Sequence, residues 1–369
     1  MSNSFVVDAK APFSATDFEE DAPYLYSRWS NPTVGQLEAK LAAMEGGETA
    51  VAFGSGMAAA TGLFLHLLGR GGHLVMSDVA YAGTIELVHE TIAALGIAVT
   101  TVDMSDLDEV ERAIRPETQL VYTECPVNPI VRLTDLKAVA DLAHRMGASF
   151  AVDSTFATPV ATRPIELGAD YVVHSLSKYI GGHGDVIGGA IVGRRAQIER
   201  LRRHTGIHLG GVLSPFNAWL VIRSAATLPI RMAAHASGAL HVATFLEGSS
   251  RVKRVIYPGL PSHPQFELAR SQMANASGIL TFQVDDGERV ARDLARRVKI
   301  FHYAVSLGHH RSLIFFLSTA QLLRSSFRLT ARQEMRYREF AGDGIFRVSI
   351  GLEDPEDLCA DLDEALGGP

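Results

Sequence analysis

The sequence predicts an α/β fold: a mostly parallel, seven-stranded type of sheet with helices on both faces, followed by a smaller C-terminal α+β domain. Two observations support this. Short runs that are apolar throughout alternate with helical segments over residues 49–192, which is typical of parallel strands buried on both faces. After about residue 225 the strand-like segments alternate between apolar and polar residues, as in a sheet with one solvated face.

The individual elements follow from periodicity and capping. Asn31 and Pro32 predict the start of a helix, because Asn caps helices and Pro suits the first turn. Five helices are expected in the first half, at 34–45, 58–68, 84–95, 107–114 and 136–146. Strands are expected between them, at 49–53, 73–76, 99–102, 120–123, 149–152, 171–174 and 188–192. The second half predicts one long helix over 218–247 and strands at 279–284 and 346–350.

The chain of 369 residues is long enough for more than one domain. Residues 1–30 contain several turn formers and little periodicity, and we expect an extended N-terminal arm there. We place a large, cofactor-binding domain at 31–225 and the C-terminal domain at 226–369.

Composition excludes several classes of function. The net charge is −7 and no Lys/Arg cluster stands out, so we expect no nucleic-acid partner. The chain has no apolar run of about 18 residues and no basic leader followed by an apolar core, so we expect a cytoplasmic protein without a membrane span. Two cysteines, Cys125 and Cys359, provide neither a disulfide framework nor a zinc pattern, and no metal is expected.

The first candidate motif is a glycine-containing turn between a strand and a helix, at residues 53–58 (FGSGMA). Free amides at such a helix start, together with the helix dipole, can bind a phosphate group. A plain strand-to-helix turn is an equally good interpretation of this segment alone, because its spacing matches no nucleotide-binding motif.

The second candidate is Lys178, which follows a predicted strand in the segment HSLSKY and precedes GGHG. A lysine shielded from water has a lowered pKa and can act as an amine nucleophile or form a Schiff base. Ser175 and Ser177 flank it and could hold a phosphate. The alternative is a solvated lysine at a strand end.

The third candidate is Asp153, at the C-terminal end of a predicted buried strand. Sheets of this type bind ligands in the crevice at that edge, where a carboxylate could pair with a protonated pyridine nitrogen. A loop Asp that caps the next turn is the alternative. Taken together and in this order, the phosphate turn, Asp153 and Lys178 are typical of fold-type I pyridoxal-phosphate enzymes.

With these three motifs, the sequence resembles the Cys/Met-metabolism enzymes, which include cystathionine γ-synthase, cystathionine lyases and methionine γ-lyase. The resemblance extends from Tyr26 to the C-terminus. It is carried by ordered segments: YSR and NPT (26–33), SGM (55–57), YAGT (81–84), NP (128–129), VD (152–153), SLSKY and GHGD (175–185), YPGL (257–260), VSLG (305–308) and the stretch 347–354.

The resemblance implies a role for each matching residue. Lys178 would carry pyridoxal 5'-phosphate as a Schiff base and shuttle protons, and Asp153 would hold the ring nitrogen. Tyr81 would stack on the ring and act in catalysis by assisting proton transfer or departure of the leaving group. The phosphate would be held by Gly56, Met57, Ser175 and Ser177, and by Tyr26 and Arg28 of a neighbouring subunit. The amino-acid substrate would be bound by Arg347, Asn128 and Ser306.

Those contacts between subunits imply a homo-oligomer, at least a dimer and typically a tetramer with shared active sites. The implied chemistry is γ-elimination or γ-replacement on a homoserine- or methionine-derived amino acid, through a vinylglycine quinonoid. The alternatives are a β-eliminating C–S lyase and a catalytically silent relative.

The sequence departs from the family at the residues that face the distal end of cystathionine. Glu86 stands where cystathionine-handling members usually have Arg, and Arg311 stands where they usually have Glu. One interpretation is that both are surface residues or pair with each other. The other is a pocket rebuilt for another distal group, such as the cationic sulfonium of S-adenosylmethionine or the guanidinium of canavanine. At 316–319 this sequence has FLST, where the family has His-Pro-Ala-Ser. We expect Phe316 to make this wall of the distal pocket more apolar.

Overall fold

The computed structural model describes residues 2–9, 14 and 23–367. Of the expected arm at 1–30, residues 1, 10–13 and 15–22 lie outside the described residues. The described part begins with an isolated antiparallel bridge between Ser4 and Tyr26. The amide of Ser27 donates to the carbonyl of Asn3 at 2.9 Å, so the first residues pair with the segment that leads into the first helix.

The first half of the chain forms a seven-stranded sheet with helices between the strands. Its strands are β1 (Thr49–Phe53), β2 (His73–Ser77), β3 (Ala98–Val102), β4 (Thr118–Glu124), β5 (Ser149–Asp153), β6 (Tyr171–Ser175) and β7 (Gly189–Gly193). Their order across the sheet is β1-β7-β6-β5-β4-β2-β3. β7 runs antiparallel to both of its neighbours and the other pairs are parallel, which confirms the prediction of a mostly parallel sheet.

Helices cover both faces of this sheet. They are α1 (Pro32–Glu45), α2 (Gly56–Leu67), α3 (Ala82–Glu86), α4 (Leu107–Ala113), α5 (Leu136–Arg145), α6 (Thr158–Ala161), α7 (Arg195–Leu201) and α8 (Pro215–Ala225). The predicted cap of α1 is present, because the Asn31 side chain accepts from the amide of Thr33. The helix expected at 84–95 is α-helical only in α3 and continues as a π-helical segment, Leu87–Ile92, and a 3₁₀ turn, Ala93–Leu95.

The single helix expected over 218–247 is wrong, because the chain forms two helices there, α8 and α9 (Leu228–Glu247). Pro229 lies in the first turn of α9. A proline is tolerated in a first turn, but inside a continuous helix its ring would clash with the carbonyl four residues earlier. The break therefore falls just before the proline.

The C-terminal part forms a second sheet of five strands. These are β8 (Arg254–Ile256), β9 (Ile279–Gln283), β10 (His302–Tyr303), β11 (Leu313–Ser318) and β12 (Gly344–Ser349), in the order β10-β11-β12-β9-β8. The remaining helices are α10 (Phe266–Gln272), α11 (Gly287–Arg297), α12 (Thr319–Ser325), α13 (Ala331–Ala341) and α14 (Pro355–Leu366). The domain boundary that we place at 225/226 coincides with the end of α8.

The core has three parts. Two clusters of buried apolar side chains fill the two faces of the seven-stranded sheet; Phe150 and Val152 belong to one of them, and Tyr122 and Ala151 to the other. The third lies between the second sheet and the helices that cover it, around Phe282 and Phe346. Over the described residues, no helix is long and apolar enough to cross a membrane.

Candidate active site

The site lies at the carboxyl ends of parallel strands β4, β5 and β6. Glu124 ends β4 and pairs in register with Asp153, which ends β5. Ser175 ends β6, and Lys178 follows three residues later. Because parallel strands end at the same edge of a sheet, these side chains lie together, as the sequence predicts for Asp153, Ser175 and Lys178.

Lys178 is held by a residue of the C-terminal domain. Its Nζ donates to the hydroxyl of Ser306 at 2.8 Å. Burial lowers the pKa of Lys178, and the nearby Arg347 guanidinium lowers it further. A lowered pKa increases the fraction of free amine, which is the form needed by a nucleophile or a proton acceptor.

Arg347, on β12, faces the same space. Its guanidinium donates through Nη1 to Oδ1 of Asn128 at 2.9 Å and through Nη2 to the carbonyl of Ser306 at 3.0 Å. A guanidinium has five N–H donors, so this group retains donors for a carboxylate of a ligand. The structure thus brings Arg347, Asn128, Ser306 and Lys178 together, as the sequence analysis expects.

Asp153 and Glu124 form a pair of buried carboxyl groups. Burial raises the pKa of both, and in Glu124 the neighbouring Asp153 raises the pKa further. Asp153 Oδ1 accepts from the amide of Thr155 at 3.0 Å, and the Tyr122 hydroxyl lies 3.5 Å from Oδ2. The Arg347 guanidinium opposes the rise in the pKa of Glu124, and a second positive group beside the pair would oppose it further.

Glu124 also holds the backbone of two other site residues. Its Oε2 accepts from the amide of Tyr81 at 2.8 Å, and its Oε1 accepts from the amide of Asn128 at 3.1 Å. The Tyr81 ring is half exposed and lies close above Gly83, where an added Cβ would come within 2.7 Å of the ring. Glu124 therefore positions both Tyr81 and Asn128.

Glu124 is not among the site residues predicted from the sequence, although a signal for it is present. Like Asp153, it ends a buried strand of the parallel sheet, and the same argument about strand ends applies to it. Its bonds to backbone amides could not be anticipated, because they depend on the course of two loops.

The predicted phosphate turn is the N-terminus of α2. Ser55 caps this helix by accepting from the amide of Ala58, and the amides of Gly56 and Met57 have no acceptor within the helix. An added Cβ on Gly56 would lie 2.9 Å from Cβ of Ser175, so the helix start and the end of β6 are in close contact. This forms a cradle of free amides beside the Ser175 hydroxyl.

Ser177 is more constrained than expected. Its hydroxyl accepts from the amide of Gly188 at 3.1 Å and lies 3.4 Å from the carbonyl of the same residue. It therefore links the lysine loop to the residue before β7.

Tyr26 and Arg28 lie elsewhere in the subunit. Arg28 donates to the carbonyl of Ile207 at 2.8 Å and its guanidinium lies 5.6 Å from the centre of the Tyr26 ring. In the part of the chain that the structure describes, neither side chain has a hydrogen bond or ion pair with Lys178, Asp153 or Ser175.

Glu86 and Arg311 do not pair with each other among the described residues. Glu86 ends α3, is half-buried, and accepts from the hydroxyl of Ser326 at 2.5 Å. Arg311 is exposed, and no hydrogen bond or ion pair of its side chain occurs within the described ranges. The interpretation of a mutual pair is therefore wrong.

Phe316 does not line the site, which corrects the expectation of a more apolar wall at this residue. Its ring lies 5.0 Å from that of Phe346 and contacts Gly287 and Gly344, within the core of the C-terminal domain. Phe315 pairs with Arg347 across β11 and β12 and so shares its face of the sheet. Side chains alternate along a strand, which is why the neighbouring Phe316 faces away from the site.

Comparisons with known proteins agree with this geometry. The family described as "Cys/Met metabolism PLP-dependent enzyme" matches residues 1–367. An L-methionine gamma-lyase of Pseudomonas putida is 40% identical over 94% of this chain and 86% of its own length. The chain belongs to this family.

Other members differ in the substrate that they are named for. A cystathionine gamma-lyase of Bacillus subtilis is 41% identical over 93% of this chain and 88% of its own. A canavanine gamma-lyase of Pseudomonas canavaninivorans is 38% identical over 99% and 91%. The crystal structure of metB from Corynebacterium glutamicum superposes with a TM-score of 0.89 at 36% identity, covering 99% of this chain and 91% of that one.

This Cys/Met-metabolism enzyme is thus a pyridoxal-phosphate-dependent lyase or synthase of fold-type I. The residues present fit the cofactor. The cradle at Gly56 and Ser175 offers amides and a hydroxyl to an anion, and the buried carboxyl pair of Asp153 and Glu124 suits a protonated ring nitrogen. Lys178, which follows β6 at the same edge of the sheet, provides an amine of lowered pKa. Among the residues that the structure describes, no group of three or more His, Cys, Asp or Glu could hold a metal ion.

Proposed function

We propose that this enzyme removes or replaces the γ-substituent of a homoserine- or methionine-derived amino acid, and that the distal group of its substrate is a cation such as a guanidinium. The observation that carries the second part is Glu86. It is a half-buried carboxylate whose one described hydrogen bond comes from the neutral Ser326 hydroxyl, and no Lys or Arg neutralises it within the described chain. A half-buried carboxylate without a cation favours a positively charged ligand.

The similarity to relatives supports this proposal. A relative that matches nearly the whole chain is named canavanine gamma-lyase, and canavanine carries a guanidino group beyond its γ-oxygen. Arg311 supports it as well. The distal ammonium group of cystathionine would need a negatively charged partner, and an exposed arginine without a described ion pair cannot provide one.

We assign the proton transfers to Lys178. The bound cofactor supplies electron withdrawal from the substrate Cα. Lys178 Nζ, which is a free amine for a larger part of the time because burial lowers its pKa, takes the proton from Cα and then one from Cβ. Departure of the γ-substituent as its conjugate acid, with return of one proton to carbon, completes an elimination. Addition of a nucleophile at Cγ, with return of both protons to carbon and release of the nucleophile's proton with the γ-substituent, completes a replacement.

Arg347 and Asn128 orient the substrate in this proposal. The Arg347 guanidinium is fixed by the Asn128 amide oxygen and the Ser306 carbonyl, so its free N–H groups can bind the substrate α-carboxylate in a fork. Asp153 stabilises the protonated form of the ring nitrogen. Tyr81 covers the ring, and its backbone amide is held by Glu124. Gly56, Met57, Ser175 and Ser177 bind the phosphate.

We infer that Tyr26 and Arg28 complete the phosphate site of a second subunit. The enzyme is then at least a dimer, and we propose a tetramer with shared active sites. Both are exposed and lack described contacts with the site of their own subunit. Three large apolar side chains, Phe216, Trp219 and Ile230, are also exposed by about half or more, as expected for surfaces that a partner covers. We also infer a cytoplasmic location, which suits the two free cysteines.

A substrate panel tests the proposed function. Purified enzyme is offered canavanine, S-adenosylmethionine, methionine, cystathionine and O-acylhomoserines, and products are identified by mass spectrometry with and without an added thiol. We expect the cationic substrates to be turned over with the highest kcat/KM, and we expect hydroxyguanidine together with 2-oxobutyrate or homoserine from canavanine. Pyruvate as the product of a C–S substrate would instead indicate β-elimination.

Substitution of Glu86 separates the two parts of the proposal. Glu86→Gln should lower kcat/KM for a cationic substrate by about 10-fold to 100-fold, since hydrogen bonds to charged groups contribute about 1.5–3 kcal/mol. It should leave turnover of a neutral O-acylhomoserine unchanged. Glu90→Gln, an exposed carboxylate one helical turn away, is the matched control.

Two outcomes would contradict the proposal. Release of no γ-substituent from any member of the panel would refute the γ-chemistry. Equal effects of Glu86→Gln on cationic and neutral substrates would refute the assignment of Glu86 while leaving the γ-chemistry intact.

A further inference from the structure

A histidine that belongs to none of the predicted site residues lies in a chain with Lys178. Ser306 Oγ accepts from Lys178 Nζ at 2.8 Å, and Nε2 of His309 lies 3.5 Å from the same Oγ. Lysine, hydroxyl and imidazole are therefore in series, and the hydroxyl can accept a proton on one side and donate one on the other.

The backbone around this chain is held in an unfavourable conformation. Ser306 has φ of 88°, in the left-handed region that non-glycine residues avoid. Arg347 holds its carbonyl at 3.0 Å, and the amide of Gly308 donates to the Ser349 hydroxyl at 2.8 Å. Such strain is concentrated at functional sites, and here it directs the Ser306 hydroxyl between Lys178 and His309.

The imidazole itself is fixed by close packing. Gly184, with φ of +72°, lies beside it, and an added Cβ there would come within 2.7 Å of His309 Cε1 and 2.8 Å of Nδ1. Only a glycine leaves room for the ring at this position. Half-buried between this glycine and Ser306, the ring keeps Nε2 toward the hydroxyl.

The charges around His309 favour its neutral form. Lys178 and Asp185 face it from the loop after β6, and His310 and Arg311 face it from its own loop. Burial lowers the pKa of His309 most, Lys178, His310 and Arg311 lower it further, and Asp185 opposes them. Near neutral pH the imidazole is therefore a base with a free nitrogen lone pair.

We propose that His309 is a proton-relay residue that exchanges protons with Lys178 Nζ through the Ser306 hydroxyl. In the forward step the Lys178 ammonium gives a proton to Ser306 Oγ, and the Ser306 hydroxyl gives its own proton to His309 Nε2. The result is a free lysine amine, an unchanged hydroxyl and an imidazolium; protons and charge balance. His309 then loses its proton to solvent.

The relay has a use in the reaction that we propose, and this part rests on the proposed function. Removal of a γ-substituent requires protons to leave both Cα and Cβ. A single lysine that has taken the first proton must lose it before it can take the second. His309 provides a route for that proton other than return to the substrate.

Isotope exchange tests the relay in the holoenzyme. 2-Aminobutyrate, which has no γ-leaving group, is incubated in D₂O and exchange of its Cα hydrogen is followed by NMR. His309→Gln keeps a hydrogen-bonding group but does not titrate, and it should slow exchange on the order of 100-fold, in the range of general acid–base contributions. With a true γ-substrate, the variant should also retain more of the substrate-derived proton in its product.

The matched control is His302→Gln, the same substitution at an exposed residue of β10. It should leave exchange and proton retention unchanged. If His309→Gln fails to bind the cofactor, the smaller variant His309→Asn is used for the same measurements. Exchange and proton retention in a cofactor-bound His309 variant equal to those of the unsubstituted enzyme would overturn the proposal.

A second readout does not depend on turnover. The reactivity of Lys178 toward acetic anhydride is measured against pH in the cofactor-free chain by peptide mass spectrometry. In the unsubstituted protein we expect a step below the ordinary pKa of histidine in addition to the step of Lys178 itself, and His309→Gln should lose the lower step. The same profile in both proteins would contradict coupling of the two groups, whatever the enzyme's substrate.

Discussion

At the scale of single residues, the site depends on groups whose charge is set by burial. Lys178, Asp153 and Glu124 each have a pKa shifted mainly by desolvation, the lysine downward and the carboxyls upward. Each shift favours the less charged form of the group. The cofactor has a phosphate at one end and a protonated ring nitrogen at the other. These would place a negative charge at the amide cradle and a positive charge beside the two buried carboxyl groups.

Arg347 provides a test at this scale. Arg347→Lys keeps the positive charge but loses the planar fork, so binding of the substrate carboxylate should weaken. We expect kcat/KM to fall by about 10-fold to 100-fold, mostly through KM, because the interaction is made in both the bound substrate and the transition state.

Steady-state kinetics on the best substrate of the panel measure this effect. Arg292→Lys, at an exposed residue of α11, is the control and should have no effect. A fall in kcat with KM unchanged would contradict the assignment of Arg347 to carboxylate binding.

At the scale of elements, the start of α2 and the end of β6 together make the anion cradle. Their contact leaves no room for a side chain at Gly56, where a Cβ would lie 2.9 Å from Cβ of Ser175. The cradle is built from backbone amides, and these remain when nearby side chains are substituted. A substitution that displaces the start of α2 should therefore disturb the cradle most.

Gly56→Ala should therefore weaken cofactor binding. Overpacking costs about 1–3 kcal/mol, which corresponds to about a 5-fold to 150-fold higher cofactor Kd. Absorbance titration of the cofactor-free protein measures it. Gly248→Ala, at an exposed residue with φ of −80°, should leave the Kd unchanged. An unaltered Kd in a folded Gly56→Ala protein would rule out this cradle.

The elements also explain what the sequence can and cannot predict. Asp153, Ser175 and Lys178 were predicted together because carboxyl ends of parallel strands meet at one edge of a sheet. The sequence does not predict that His309 lies near Lys178, because this depends on how a loop of the C-terminal domain packs on the large domain. Phe316 was misplaced because its face of β11 depends on the strand's register with β12, which an apolar run does not define.

At the scale of the whole molecule, the site lies where the two sheet-containing parts meet. Lys178 and Asn128 come from the first half of the chain, whereas Ser306 and Arg347 come from the second. Two further residues, Tyr26 and Arg28, are assigned by us to a neighbouring subunit. Lys178 is thus positioned by a contact that forms only when both parts of the chain are folded together.

The attachment of the cofactor to Lys178 is the claim on which the rest of this account depends. The yellow holoenzyme is reduced with borohydride, digested, and mapped by peptide mass spectrometry. We predict loss of the visible absorbance and a pyridoxyl phosphate adduct on the peptide that contains Lys178, absent from Lys178→Ala. An adduct on a different lysine, or a cofactor-saturated protein that acquires none, would contradict the account.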